Sequence, residues 1–291
     1  MADIPQRLRD LPLWQGEIEA TPLTGGITNV NYLVKDAERK YVVRLGDDIP
    51  LHQVMRFNEL AASRAAHAAG ISPEVVYAED GITVLDYIDS RTLTEEDVRS
   101  EVYLPKALDL VIRCHREVPQ YLRGPVLVFW VFHVIRDYAA TLTARESSHL
   151  TKLAELVAIG NRLERATGPF EMVFGHNDLL CGNFLDDGAR LWLIDFDYAG
   201  FNSPLFDLGG LASNNGLSPE QEDWMLETYF EAPVSDALRK RYGAMKCASL
   251  LRETMWSMVS ELTSEIDFDY AAYTEENLMR FRAAMADFEQ M

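Results

Sequence analysis

Hydrophobic and polar positions follow one pattern over the first ninety residues of this chain and another after them. ITNVNYLVK (27–35) and KYVVRLG (40–46) set β-branched and aromatic residues on either side of a charged turn, Asp36 to Arg39, which predicts a hairpin. RFNELAASRAAHAAG (56–70) is Ala-rich, lacks Pro and closes on Gly70, so it predicts a helix with a glycine stop. PEVVYAEDGITVLDYI (73–88) predicts two further strands joined at Asp80-Gly81, a tight-turn pair. Together these elements make a small sheet with one helix against it. From about residue 91 the spacing turns helical. Thr94 is placed to cap a helix, Ser218 with Gln221 fits a capping box, and Thr274 precedes another periodic run. Within this part FLDDGARLWLID (184–195) predicts one hairpin, turning at Asp187-Gly188. The expected class is α+β: a lobe of residues 1–88, a mostly helical lobe of 89–291, and a cleft between them.

Charge and composition narrow what such a molecule does. With 291 residues, 48% hydrophobic and 25% charged, the chain is long enough for two lobes with ordinary cores. Its net charge of −19 offers no basic footprint for a nucleic acid or an anionic membrane surface, and it favours a cationic small substrate. Cys114, Cys181 and Cys247 are far apart, with no Cys-x-x-Cys pair, so neither zinc nor a disulfide framework is expected. The N-terminus lacks a charged start followed by an apolar core. The strongest apolar run, VLVFWVFHVI (126–135), is half the length of a membrane span. The expectation is a cytoplasmic protein without membrane insertion; no oligomeric state follows from the sequence.

Two stretches carry chemistry: FGHNDLLCGNFL (174–185) and IDFDYAGFNSPLFDLG (194–209). Asp178 stands five residues before Asn183, and Asp195 ends the apolar run Leu191–Ile194. Phosphoryl transfer from a metal-nucleotide requires a base for the attacking hydroxyl and two oxygen ligands for magnesium, and these three residues supply that set. A lone Asp would cap a turn; the clustering of His176, Asn177, Asp178 and Asn183 argues for more. His176 is not expected on the metal, because magnesium takes oxygen ligands. Asp197 and Asp207 either tune the metal or hold the loop, loop support coming first for Asp207. Gly25 and Gly26, with Thr28 and Asn29, either cover phosphates or form a plain hairpin turn; no Walker A sequence is present. Arg44, inside an apolar strand, either reaches nucleotide phosphates while pairing with Glu59 or runs its stem out to solvent. Near the C-terminus Trp256, Phe268, Tyr270 and Tyr273 lie among Glu253, Glu261 and Glu265. With Tyr198 these rings either pack as core or cage an ammonium, each face contributing about 0.5–2 kcal/mol.

HNDLLCGN (176–183), IDFDYAGFNSPLFDLG (194–209) and WSMVSELTSEIDFDYAAY (256–273) resemble the choline/ethanolamine kinase family, a branch of the aminoglycoside-phosphotransferase group of protein-kinase-like folds. The likeness spans roughly residues 20–285; the first motif is common to the superfamily, the last particular to this branch. It implies a protein-kinase-like two-lobed fold with ATP between the lobes. Asp178 would be the base, Asn183 and Asp195 the magnesium ligands, and Arg44, Thr28 and Asn29 would face the nucleotide. The substrate side would comprise Asp197, Tyr198, Glu253, Trp256 and Tyr270. Three positions depart from the pattern: Asp197 replaces Glu, Glu253 stands where a second Trp is usual, and Asn214 replaces an acidic residue. The implied activity is ATP- and magnesium-dependent phosphorylation of a small amino alcohol, choline or ethanolamine first. The alternatives are a related kinase for thiamine, an aminoglycoside or another alcohol, and a non-catalytic nucleotide-binding protein.

Overall fold

The computed structural model describes residues 5–23 and 30–291. A short helix α1 (Gln6–Arg9) leads into strands β1 (Glu19–Leu23), β2 (Val30–Asp36) and β3 (Arg39–Leu45), then helix α2 (Arg56–Ala68), β4 (Val75–Glu79) and β5 (Ile82–Asp86). The five strands form one antiparallel sheet in the order β1-β2-β3-β5-β4. Both expected turns are present, and Gly81 adopts φ +74, a left-handed conformation that costs a residue without Cβ nothing. Strand β1 has no counterpart in the pattern reading. EATPL is an edge strand, four of its five residues exposed and one a Pro, so it carries no alternation to detect. Inward-facing Val34, Val43, Ile82 and Val84 pack with Leu8 and Leu11 of the N-terminal segment as a separate apolar cluster.

Helix α2 does not share that cluster. Its Ala62, Ala65 and Ala66 are buried in the larger core built by the helices that follow. The Ala-rich face thus brings α2 close to the helical part of the chain, with Glu59 buried on the same helix.

Beyond residue 90 come β6 (Arg91–Thr92), α3 (Glu95–Val98), α4 (Leu104–Arg116), α5 (Val118–Tyr121), α6 (Val131–Ala144) and α7 (Leu150–Thr167). Short strands β7 (Val173–Gly175), β8 (Phe184–Asp186), β9 (Leu191–Leu193) and β10 (Gly200–Asn202) follow. Last are α8 (Pro204–Asn215), α9 (Pro219–Phe230), α10 (Asp236–Thr263) and α11 (Tyr270–Phe288). The 28-residue α10 is the axis of this lobe, with α6, α7, α8 and α11 against it. Gly209 permits the α8 crossing: a Cβ there would lie 2.8 Å from the Lys246 Cα. The GGLASNN segment is therefore helix, serving packing.

The capping boxes at Thr94 and Ser218 both form. Thr274 is a correction. Helix α11 begins four residues earlier, capped by Asp269, and the buried Thr274 hydroxyl meets Ser257 and Glu261 at 2.8 and 2.6 Å. An Asp N-cap accepting the Ala272 N–H at 2.9 Å takes precedence over a Thr inside the periodic run. The 184–195 hairpin also ends sooner than expected, at Leu193. Of the 126–135 run, Val131 onward is α6, and no described helix is long and apolar enough to cross a membrane.

Candidate active site

Strands β7 and β10 pair antiparallel, and the chain between them makes both polar motifs. Leaving Gly175, it passes His176, Asn177 and Asp178, turns through 181–183, runs out and back along β8 and β9, and returns through Ile194 and Asp195. Asn183 immediately precedes β8 and Ile194 immediately follows β9. Their pairing, Ile194 N–H to Asn183 carbonyl at 3.0 Å, sets the two metal-ligand candidates side by side. The His176 ring ties the loops together through Nε2 and the Ile194 carbonyl, 2.9 Å. Burial depresses its pKa, so the imidazole is neutral and structural rather than a ligand.

Two non-glycine residues, Asn177 (φ 66) and Asp195 (φ 70), are held left-handed at the points where each loop bends. Asp207 near the start of α8 supports this backbone. Its carboxylate accepts the N–H groups of His176 and Asn177 at 2.8 and 2.7 Å, and His115 Nε2 lies 2.9 Å away. Burial alone would raise its pKa, but the bond and charge of His115 outweigh that and leave it below the usual range. Asp207 holds the loop.

Asp178 is half-buried. Burial pushes its pKa up to about 8, with negative charge from Glu253, Asp195 and Asp197 adding to the rise and Arg252 opposing it. The Asn183 amide nitrogen donates to the Asp178 carbonyl at 2.8 Å, which leaves the amide oxygen as the group for a cation. With the Asp195 carboxylate this is an all-oxygen donor pair, the kind magnesium takes beside phosphate oxygens, and the residues fit that ion.

Beneath the loops lies an ion cluster. Arg44 of β3 is only 8% exposed, which removes the solvent-seeking alternative. Its Nη1 meets Glu59 at 2.6 Å, Asp197 at 2.7 Å and Asp195 at 2.9 Å, so one guanidinium bridges β3, α2 and the second motif. Arg56 adds Glu59 at 2.6 Å and Asp197 at 3.0 Å. Asp197, expected on the substrate side, is instead buried within this cluster; two arginines draw it there. Gly25, Gly26, Thr28 and Asn29 lie outside the described residues.

On the other side of Asp178 the three expected rings do come together, but as packed core. Trp256 donates Nε1 to the Tyr198 hydroxyl at 3.0 Å and lies 6.0 Å from Tyr270, ring to ring. All three are buried, with His52 against Trp256 at 5.3 Å. An open cage is therefore not what these side chains form. Glu253 accepts from the Tyr273 hydroxyl and from Arg252 Nη1, each at 2.8 Å. Arg252 was not singled out by the sequence reading, though a cation inside the apolar helix LLRETMW was the available signal.

The family described as phosphotransferase enzyme family matches residues 19–248. Protein LicA of Haemophilus influenzae is 27% identical over 278 residues, 92% of this chain and 79% of that protein. A probable ethanolamine kinase A of Dictyostelium discoideum is 27% identical, covering 89% of this chain and 83% of the relative. Among solved structures, a choline/ethanolamine kinase family protein of Mesorhizobium loti superposes with a TM-score of 0.76 at 27% identity, over 96% of this chain and 92% of the other. The chain belongs to the phosphotransferase enzyme family.

Proposed function

We propose that this phosphotransferase moves the γ-phosphoryl group of ATP to the hydroxyl of a small amino alcohol, ethanolamine and choline being the first candidates. The observation that carries the reading is the juxtaposition of Asp178 with Asn183 and Asp195 on two loops locked to one another. The relative named as a probable ethanolamine kinase supports the acceptor class. So does the negative charge of Glu253 near Asp178.

ATP would lie between lobes 1–88 and 89–291, with Gly25, Gly26, Thr28 and Asn29 on its phosphate side. Arg44, pinned by Glu59, positions Asp195 from below. Asp178 receives the acceptor hydroxyl; as that oxygen bonds to the γ-phosphorus, the bond to the ADP oxygen breaks and the hydroxyl proton passes to the carboxylate. Magnesium held by Asn183 and Asp195 would neutralise charge on the phosphates. Both substrates would come from the cytoplasm.

A coupled ADP-release assay with ATP and magnesium, run on ethanolamine, choline, thiamine and an aminoglycoside, tests this. Turnover confined to the amino alcohols, with a phosphomonoester product, is the expected result. Preference for thiamine or the aminoglycoside would move the chain to another branch with the same catalytic residues.

A further inference from the structure

We infer that Arg252 determines acceptor specificity: it takes the place of a substrate cation against Tyr198, so the site receives a primary ammonium and turns away a quaternary one. The inference deepens, and rests on, the amino-alcohol reading above.

Arg252 and Trp256 are four residues apart on α10 and so project from one face of that helix towards Tyr198. The guanidinium carbon stands 4.2 Å from the centre of the Tyr198 ring and 5.7 Å from that of Phe129. Nη1 bonds Glu253 at 2.8 Å, while Nε and Nη2 are buried without a hydrogen-bond partner. A buried guanidinium with two unanswered donors is costly unless something else answers its charge. Here the answer is the face of Tyr198, the buried Tyr138 hydroxyl and the nearby carboxylates of Glu253 and Asp178. Those are the groups that would otherwise surround a substrate's ammonium.

A trimethylammonium head has no N–H to donate and depends on ring faces for its binding. At this site it meets a ring already covered by a fixed positive charge. A primary ammonium has a second route, donating N–H bonds to carboxylate oxygen. Glu253 offers that oxygen, oriented by the Tyr273 hydroxyl. A carboxylate here and an arginine beside it therefore act in the same direction.

The test measures kcat/KM for ethanolamine, its N-methyl and N,N-dimethyl derivatives, and choline, in the wild type, Arg252→Met and Arg252→Gln. Calorimetric titration of the same proteins with tetramethylammonium gives a readout that does not require turnover. The wild type should lose activity with each methyl group and show no tetramethylammonium binding. Removing the arginine charge should shift the choline-to-ethanolamine ratio towards choline by roughly tenfold, the size of one good ring–cation contact, and should allow tetramethylammonium to bind. The Gln variant retains a donor for Glu253 and serves if the Met variant does not fold. Ethanolamine turnover accompanied by an unchanged ratio and no tetramethylammonium binding in a folded variant overturns the inference alone. Wild-type preference for choline also overturns it. Silence of the wild type on all four alcohols removes the functional reading and this inference together.

Discussion

Two buried arginines flank the candidate site, and they are satisfied in different ways. Arg44 has three carboxylates within 2.9 Å, from Glu59, Asp195 and Asp197. Arg252 has one, Glu253, and otherwise rests on the rings of Tyr198 and Phe129. The first arrangement is directional and ties three segments of chain to one atom, as suits a scaffold that must hold Asp195 still. The second is weakly directional, most of its contact being with ring faces. It suits a surface that selects what comes next to it. One side of the candidate site is thus built for fixed geometry, and the other for weaker, less directional contact.

The sharpest way to break the comparison is Arg44→Met. Removing the cation strands carboxylates that remain buried, and breaking such a pair costs about 3–5 kcal/mol. Chemical denaturation should show that loss. A cost below about 1 kcal/mol would mean that Arg56 already compensates the cluster and that Arg44 is not its keystone.

Asp178 gives a change of opposite sign. Its folded pKa, raised to about 8, lies above the value near 3.9 of an unfolded chain. Between those values the folded state holds a proton that the unfolded state has released, so stability falls as pH rises across this window. Asp178→Asn removes the ionisable carboxyl and should stabilise the protein at pH 8 by a few kcal/mol, with little effect at pH 4, as denaturation at the two pH values would register. Equal effects at both would show that burial is not what perturbs this carboxyl.

Smaller effects belong to the acceptor side. Trp256→Phe loses the bond to the Tyr198 hydroxyl and should cost about 1–2 kcal/mol. Arg252→Met should cost only about 1 kcal/mol, because Glu253 keeps the Tyr273 hydroxyl. The same substitution removes the charge that holds Asp178 down, so the pH at which kcat/KM rises should move upward. If Arg252→Met proves as destabilising as Arg44→Met, the contrast between the two sides disappears.

Much of this was legible in the chain because it depends on local order. The two N-lobe hairpins, α2 with its glycine stop and the 184–195 hairpin each follow from turn residues and periodicity. Asp178, Asn183 and Asp195 fall together because the β8–β9 hairpin between them brings its own ends back to one place. What was illegible depends on distant pairing. Asp197 reads as a substrate residue until Arg44 and Arg56, more than 140 positions upstream, are seen to claim it. Trp256, Tyr198 and Tyr270 have the composition of a cage, yet only the fold shows that they are packed on one another, with Arg252 already on a ring. Strand β1 was missed because an exposed edge has no inward side to mark it.

In the proposed reaction Asp178 receives the acceptor hydroxyl while the neighbouring oxygen ligands serve ATP. Steady-state turnover of ethanolamine by Asp178→Asn, with ATP and magnesium saturating and folding verified, tests it most directly. A fall in kcat of roughly 10²–10⁴-fold is expected, the usual contribution of a positioned base, with the KM for ATP little changed. Near-wild-type kcat in that variant would contradict the account.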